Sequence, residues 1–208
     1  MGIPKPNQRY TPEEYLRLER EATERHQYFE GEIFALAGGS PEHSLIISKI
    51  NGELRNHLKG SPCRVYDSNL RVRIPKTTLY TYPDVTVVCG PLQFDPLDTR
   101  RETVLNPTLI VEVLSETSEA YDRGGKFQKY RSIESFREYV LVSQDVAGIE
   151  TFFRRSDGTW LYSPAAGLEA QIRLHSLEIT LSLAELYRGV TFPPPPPQPA
   201  PEEARSPG

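Results

Sequence analysis

The stretch PTLIVEVLSETSEAYDRGGKFQKY, residues 107–130, decides how the chain is read. It opens with an apolar run from Leu109 to Leu114, the pattern of a buried strand, and one acid, Glu112, breaks that run. The residues from about Asp122 to Arg131 then read as a helix carrying Lys126. An ionised carboxylate taken out of water without a partner is strongly destabilising, so Glu112 must find a cation, a donor or a proton.

A second acid poses the same question upstream. Asp84 follows Pro83 and precedes the apolar run VTVV in TYPDVTVVCG, which also reads as a strand. If the two strands are neighbours, both acids project near one edge of the sheet. Two close carboxylates repel unless a cation lies between them, and an oxygen-only donor set points to Mg²⁺ or Mn²⁺. The alternative is that each acid pairs with an arginine, for instance Arg71 or Arg73 on the preceding strand CRVYDSNLRVRI. Lys126 supplies a third element. Attack of water on phosphorus builds negative charge, and a positioned ammonium lowers that barrier or helps orient or deprotonate the water.

The remaining pattern frames these residues. TPEEYLRLEREA starts as a helix, with Thr11 as N-cap, Pro12 at the first position and two acids near the positive end of the dipole. YFEGEIFALA alternates like a strand and has a glycine bend. Ser40 then caps a second helix, PEHSLIISKINGELRNHL, whose Ile47, Ile50, Leu54 and Leu58 form one stripe. After the central segment, REYVLVSQ, GIETFFRR and WLYSP read as strands and LSLAELYRG as a closing helix. This order predicts an α/β or α+β domain, a mixed central sheet flanked by helices. It occupies residues 1–191, with its folded part ending near Val190. The proline-rich segment 192–208, FPPPPPQPAPEEARSPG, is expected to be a disordered tail.

Composition narrows the function. The chain has 208 residues and a net charge of −4, which argues against a protein that coats nucleic acid non-specifically. A local basic block remains: Arg123, Lys126, Lys129 and Arg131 stand together without an acid between them. No apolar stretch approaches the roughly 18 residues needed to span a bilayer. The N-terminus lacks a signal-peptide core, so a cytoplasmic location and no membrane partner are expected. Cys63 and Cys89 read as reduced strand residues. There is no GxSxG, HExxH or GxxxxGK[ST] motif.

YPD at 82–84, followed roughly thirty residues later by VEV at 111–113, resembles the PD-(D/E)xK nuclease pattern. The longer run NPTLIVEVLSETSEAYDRGGKFQKY with REYVLV, together with GGSPEHSLII and CRVYDSNLRVRI, resembles the Uma family of restriction endonuclease-like proteins over about residues 10–190. The resemblance implies a Mg²⁺- or Mn²⁺-dependent endonuclease acting on DNA. It makes Asp84 and Glu112 metal ligands and Glu32 a third carboxylate, with Lys126 displaced from its usual place two residues after the glutamate, where Leu114 stands. Lys129 is the fallback lysine. Asp122 is expected to cap the lysine-bearing helix with Thr117 or Ser118 bracing the turn. His43 is expected to touch substrate phosphate or orient Glu32, and Tyr130 to pack beside the site. Gln27 departs from the acid expected at its position. A homodimer fits an enzyme that cuts both strands. Two other readings stay open: an inactive nuclease-fold module that binds nucleic acid or a protein, and hydrolysis of another phosphate ester.

Overall fold

The computed structural model describes residues 8–36 and 38–194. Its strands are β1 (His26–Phe29), β2 (Glu32–Ala35), β3 (Cys63–Asp67), β4 (Arg71–Ile74), β5 (Leu79–Thr81), β6 (Val85–Cys89) and β7 (Thr103–Val104). They continue as β8 (Leu109–Leu114), β9 (Glu138–Ser143), β10 (Gly148–Arg154), β11 (Trp160–Ala166), β12 (Gln171–Leu174) and β13 (Ile179–Ser182). The helices are α1 (Pro12–Glu21), α2 (Pro41–His57), a broken segment made of α3 (Glu119–Tyr121), a π-wound turn (Asp122–Lys126) and α4 (Phe127–Tyr130), and α5 (Leu183–Leu186).

The fold is α+β with mixed sheets, and the strands divide between two of them. One has five strands in the order β2-β1-β5-β4-β7, the other six in the order β11-β10-β9-β8-β6-β3, and β12 and β13 form a separate hairpin. Pairing is antiparallel except for β4 with β7 and β8 with β9. Segments that read as continuous strands are split between the sheets: β3 and β4 part at Ser68–Leu70, β5 and β6 at Tyr82–Asp84. Pro83 explains the second break, because it has no N–H to donate to a ladder. Asp84 therefore stands where the chain passes from one sheet to the other.

Both predicted helix starts form. Thr11 and Glu14 make a reciprocal capping box, and the Ser40 hydroxyl accepts from the His43 amide at 3.1 Å. The buried stripe of α2 is Ile46, Ile50, Leu54 and Leu58, with Ile47 only partly buried beside it. That stripe packs on one face of β8 with Leu109, Val111 and Val113. Ile110 and Leu114 point to the opposite face, into a second core with Tyr130, Phe136, Tyr139 and Leu141. Glu112 alternates with Ile110 and Leu114, so its side chain enters this second core. Burial on both faces accounts for the apolar run that only Glu112 interrupts.

Two expectations need correction. Cys63 and Cys89 are not free thiols: they lie directly opposite each other on β3 and β6 and form a disulfide, with Cα atoms 3.9 Å apart. The ordered chain also passes Val190, because the Phe192 ring packs tilted against Tyr187 at 5.4 Å. Of the proposed tail, residues 195–208 lie outside the described residues. Among the described residues no helix is long and apolar enough to cross a membrane.

Candidate active site

Glu112 is 3% exposed, and its partners come from the broken helical segment. Lys126 Nζ lies 3.1 Å from Glu112 Oε1 and 2.7 Å from Asp122 Oδ1. The Tyr130 hydroxyl donates to the same Glu112 oxygen at 2.9 Å. Asp122, Lys126 and Tyr130 are spaced by four, so they share the helical face turned toward β8. The π-wound turn sits inside this run, a distortion frequent at functional sites. Gly125 permits it: a Cβ there would lie 2.7 Å from the Tyr121 ring.

Asp84 approaches from the residue just before β6. Its Oδ2 accepts the Val113 amide at 2.7 Å, which ties it to the residue after Glu112. His43, in the first turn of α2, places Nε2 3.0 Å from the Val113 carbonyl oxygen and 3.5 Å from Asp84 Oδ2. Asp84 is thus tied to the residue after Glu112, and Glu112 to Lys126, so three residues separated in sequence come together along β8.

The electrostatics are unbalanced toward negative charge. Burial pushes the Glu112 carboxyl up to about 8; the Lys126 ammonium opposes that rise, and the charges of Asp122 and Asp84 reinforce it. Burial also raises Asp84, against His43, the Val113 amide and Lys126, with Asp122 adding to the rise. Burial alone would lower Lys126, but Glu112 and Asp122 more than offset it and hold the lysine above its ordinary value. Lys126 is therefore an ammonium at neutral pH.

The other anticipated residues fall out as follows. Asp122 does not cap the helix: it lies within the segment and its carboxylate meets Lys126. The turn before it is braced by Ser115, whose hydroxyl bonds those of Thr117 (3.3 Å) and Ser118 (2.9 Å). His43 faces Asp84 and not Glu32. Glu32 is exposed on β2 and pairs with Arg9 at 3.3 Å, so the structure does not bring it to Asp84 or Glu112. Tyr130 bonds Glu112 directly. Lys129 Nζ donates to the Gly125 carbonyl at 3.3 Å and lies over the rings of Phe29 (4.5 Å) and Tyr121 (5.1 Å). Neither arginine rescues the strand acids, because Arg71 pairs with Asp98 and Arg73 with Asp95.

Two neighbours, Tyr121 and Thr81, escaped the sequence reading. Tyr121 places its ring 5.9 Å from Lys126 Nζ, and its hydroxyl accepts from Gln27 Nε2 at 3.3 Å. The Gln27 carbonyl in turn accepts from the Thr81 hydroxyl at 3.1 Å. An aromatic immediately before Asp122, in the YD pair, was the available signal for Tyr121. A separate hollow of about 300 Å³, lined by residues including Arg55, Lys59, Cys63 and Arg64, lies toward the disulfide end of β3 and β6, away from Asp84.

Among the described residues no group of three or more His, Cys, Asp or Glu is arranged to cage a metal ion. The donor chemistry nevertheless suits a hard divalent cation, which is commonly held by one or two carboxylates and completes its shell with water and substrate phosphate. Asp84 and Glu112 are the carboxylates available, and such an ion would take the place of the proton that burial makes Glu112 retain.

Comparison with known proteins gives the family and the fold. The model of the Uma2 family, described as "Putative restriction endonuclease", matches residues 12–185. The chain is 40% identical over 192 residues to the uncharacterized protein slr1290 of Synechocystis sp. (strain ATCC 27184 / PCC 6803 / Kazusa), covering 90% of this chain and 96% of that one. It is 32% identical over 169 residues to sll1609 of the same organism, covering 81% and 94%. A crystal structure of a putative nuclease belonging to DUF820, from Anabaena variabilis ATCC 29413, superposes with a TM-score of 0.65 at 16% identity. That match covers 83% of this chain and 97% of that one, and it supports the shared fold.

Proposed function

The chain belongs to the Uma2 family, and from that premise we propose that it is a Mg²⁺- or Mn²⁺-dependent endonuclease that hydrolyses phosphodiester bonds of DNA. The observation that carries the proposal is the meeting of Asp84 and Glu112 with Lys126, each from a different element, at a spot with more carboxylate than cation.

Asp84 and Glu112 are the residues that would hold the cation. Each is gripped through one oxygen, Oδ2 of Asp84 by the Val113 amide and Oε1 of Glu112 by Tyr130 and Lys126, which orients the other oxygen. A bound divalent ion supplies Lewis-acid stabilisation of the charge that develops on the phosphate. Hydrolysis joins a water oxygen to phosphorus and breaks the bond to the leaving oxygen, giving a phosphate monoester and a hydroxyl terminus. Lys126, kept protonated by Glu112 and Asp122, serves as an electrostatic stabiliser and not as the base that deprotonates water.

The test is cleavage of plasmid or branched DNA with Mg²⁺ or Mn²⁺ by wild type and by Asp84→Ala. Cleavage by wild type alone supports the assignment, and equal cleavage by both proteins rules out this site. The lack of a three-ligand cage among the described residues, with Gln27 in place of an acid, motivates a second reading, a non-catalytic module that keeps the fold. Titration calorimetry separates the two: no Mn²⁺ binding at millimolar concentration together with no cleavage favours the module. The nuclease reading also carries the expectation of a homodimer, tested by light scattering on the purified protein.

A further inference from the structure

The two lysines of the helical segment stand in opposite electrostatic situations. Lys126 is buried and its Nζ already meets two carboxylates. Lys129 is half-buried, donates one hydrogen bond to the Gly125 carbonyl and meets no carboxylate among the described residues. Its ammonium is held between the rings of Phe29 and Tyr121, at 4.5 and 5.1 Å from their centroids. Cation–π contact fixes the position of a charge without neutralising it. An ammonium has three N–H donors, and only one is committed here.

The location ties this charge to the site. The Tyr121 ring lies near both ammonium groups, 5.9 Å from Lys126 Nζ and 5.1 Å from Lys129 Nζ. Gly125 lies beside it as well, since a Cβ there would touch Lys129 Nζ at 3.7 Å. We infer that Lys129 is a substrate-binding residue whose ammonium, preset between Phe29 and Tyr121, takes a backbone phosphate of the nucleic acid beside the one that is cut. This rests on the nuclease reading and adds to it a binding role for Lys129, separate from the electrostatic role of Lys126.

The experiment measures binding without cleavage, by anisotropy of a labelled oligonucleotide in EDTA across a salt series. Lys129→Met keeps the unbranched stem against both rings and removes the charge. Losing one phosphate contact lowers the slope of log K against log salt by about 0.9 for a duplex and about 0.7 for a single strand. Lys129→Arg should keep the wild-type slope. A second measurement needs no variant: lysine acetylation of wild type read by mass spectrometry. Lys129 should be modified in the free protein and protected in the complex, while buried Lys126 stays unmodified in both. Wild-type binding with an unchanged slope in Lys129→Met, or Lys129 acetylated equally with and without oligonucleotide, overturns this inference and leaves the nuclease reading standing. A wild type that binds no oligonucleotide at any salt overturns both.

Discussion

Two of the buried clusters of charge among the described residues are built on opposite rules. Around Arg71, which is 2% exposed, each buried charge meets an opposite one, with the buried Arg20 Nε left without an acceptor. Its guanidinium donates to the Thr103 hydroxyl at 2.7 Å, to Tyr82 at 2.9 Å and to Asp98 at 3.1 Å. Asp98 also accepts from Arg20, from Thr103 and from the amides of Arg100 and Glu102. Burial would raise its carboxyl, but the bonds from Thr103, Arg20 and Arg71 outweigh that and hold it down at about 2. Around Glu112 the count runs the other way: Asp84, Glu112 and Asp122 face a single ammonium, and Glu112 is pushed up to about 8. A buried charge with a purely structural task is surrounded by donors, whereas one left in surplus marks a place where something outside the chain completes the balance.

The largest expected effect falls on the satisfied cluster. Arg71→Met leaves Asp98 with Arg20 as its one remaining guanidinium, and breaking a buried pair typically costs about 3–5 kcal/mol, here toward the lower end. Denaturant unfolding should show that loss, and cleavage per folded molecule should remain near wild type. Asp84→Asn should reverse the pattern: cleavage falls by about 10²–10³-fold, the scale of losing one preorganised electrostatic element, while the unfolding midpoint holds. A variant series in which both substitutions lower stability and activity alike would erase the distinction between the clusters.

The same contrast explains what could be read in the chain beforehand. Glu112 and Asp84 stood out because an acid inside an apolar strand conflicts with its surroundings over a few residues, and Thr11 and Ser40 because helix caps are local. Lys126 was within reach once the helix was recognised. Features set by distant pairing stayed hidden. The disulfide depends on the register of β3 against β6 across 26 residues of sequence, which no spacing rule predicts. His43 meets Asp84 only because α2 packs on β8, and Glu32 meets Arg9 because a hairpin turns it outward. Asp122 was misread for a subtler reason. Its type suits a cap, but the helical segment begins at Glu119, which makes Asp122 an i, i+4 partner of Lys126.

A smaller effect concerns pH in metal-free buffer. Glu112 takes up its proton at about 8 in the folded protein against an ordinary value of 4.5, so the native state binds more protons than the unfolded chain between those limits. The stability linked to this group is therefore fully present below pH 4.5 and is lost as pH rises toward 8. Asp98 works at the other end: its contribution is present above 3.8 and is lost as pH falls toward 2. Glu112→Gln removes the first dependence and leaves the second. Unfolding midpoints of this variant should decline less between pH 5 and 8 than those of wild type, the remainder belonging to Asp84 and Glu138, which burial also raises; an undiminished decline would assign it to another group.

The smallest effect isolates one hydrogen bond inside the strained cluster. Tyr130 donates to Glu112 Oε1, a bond that favours the ionised carboxylate and partly restrains the rise produced by burial. Tyr130→Phe keeps the ring in its core with Phe136 and Tyr139 and removes only that donor. Lys126 still reaches the same oxygen, so no buried acceptor is abandoned and the loss should be about 1 kcal/mol, the net value of a single hydrogen bond. The direction in pH is more informative than the size. With its donor gone Glu112 titrates higher, so the decline in stability should extend to higher pH than in wild type. A shift to lower pH would mean that the tyrosine had been stabilising the neutral acid, and the surplus of negative charge that sets this cluster apart from the Arg71 network would then be smaller than its geometry implies.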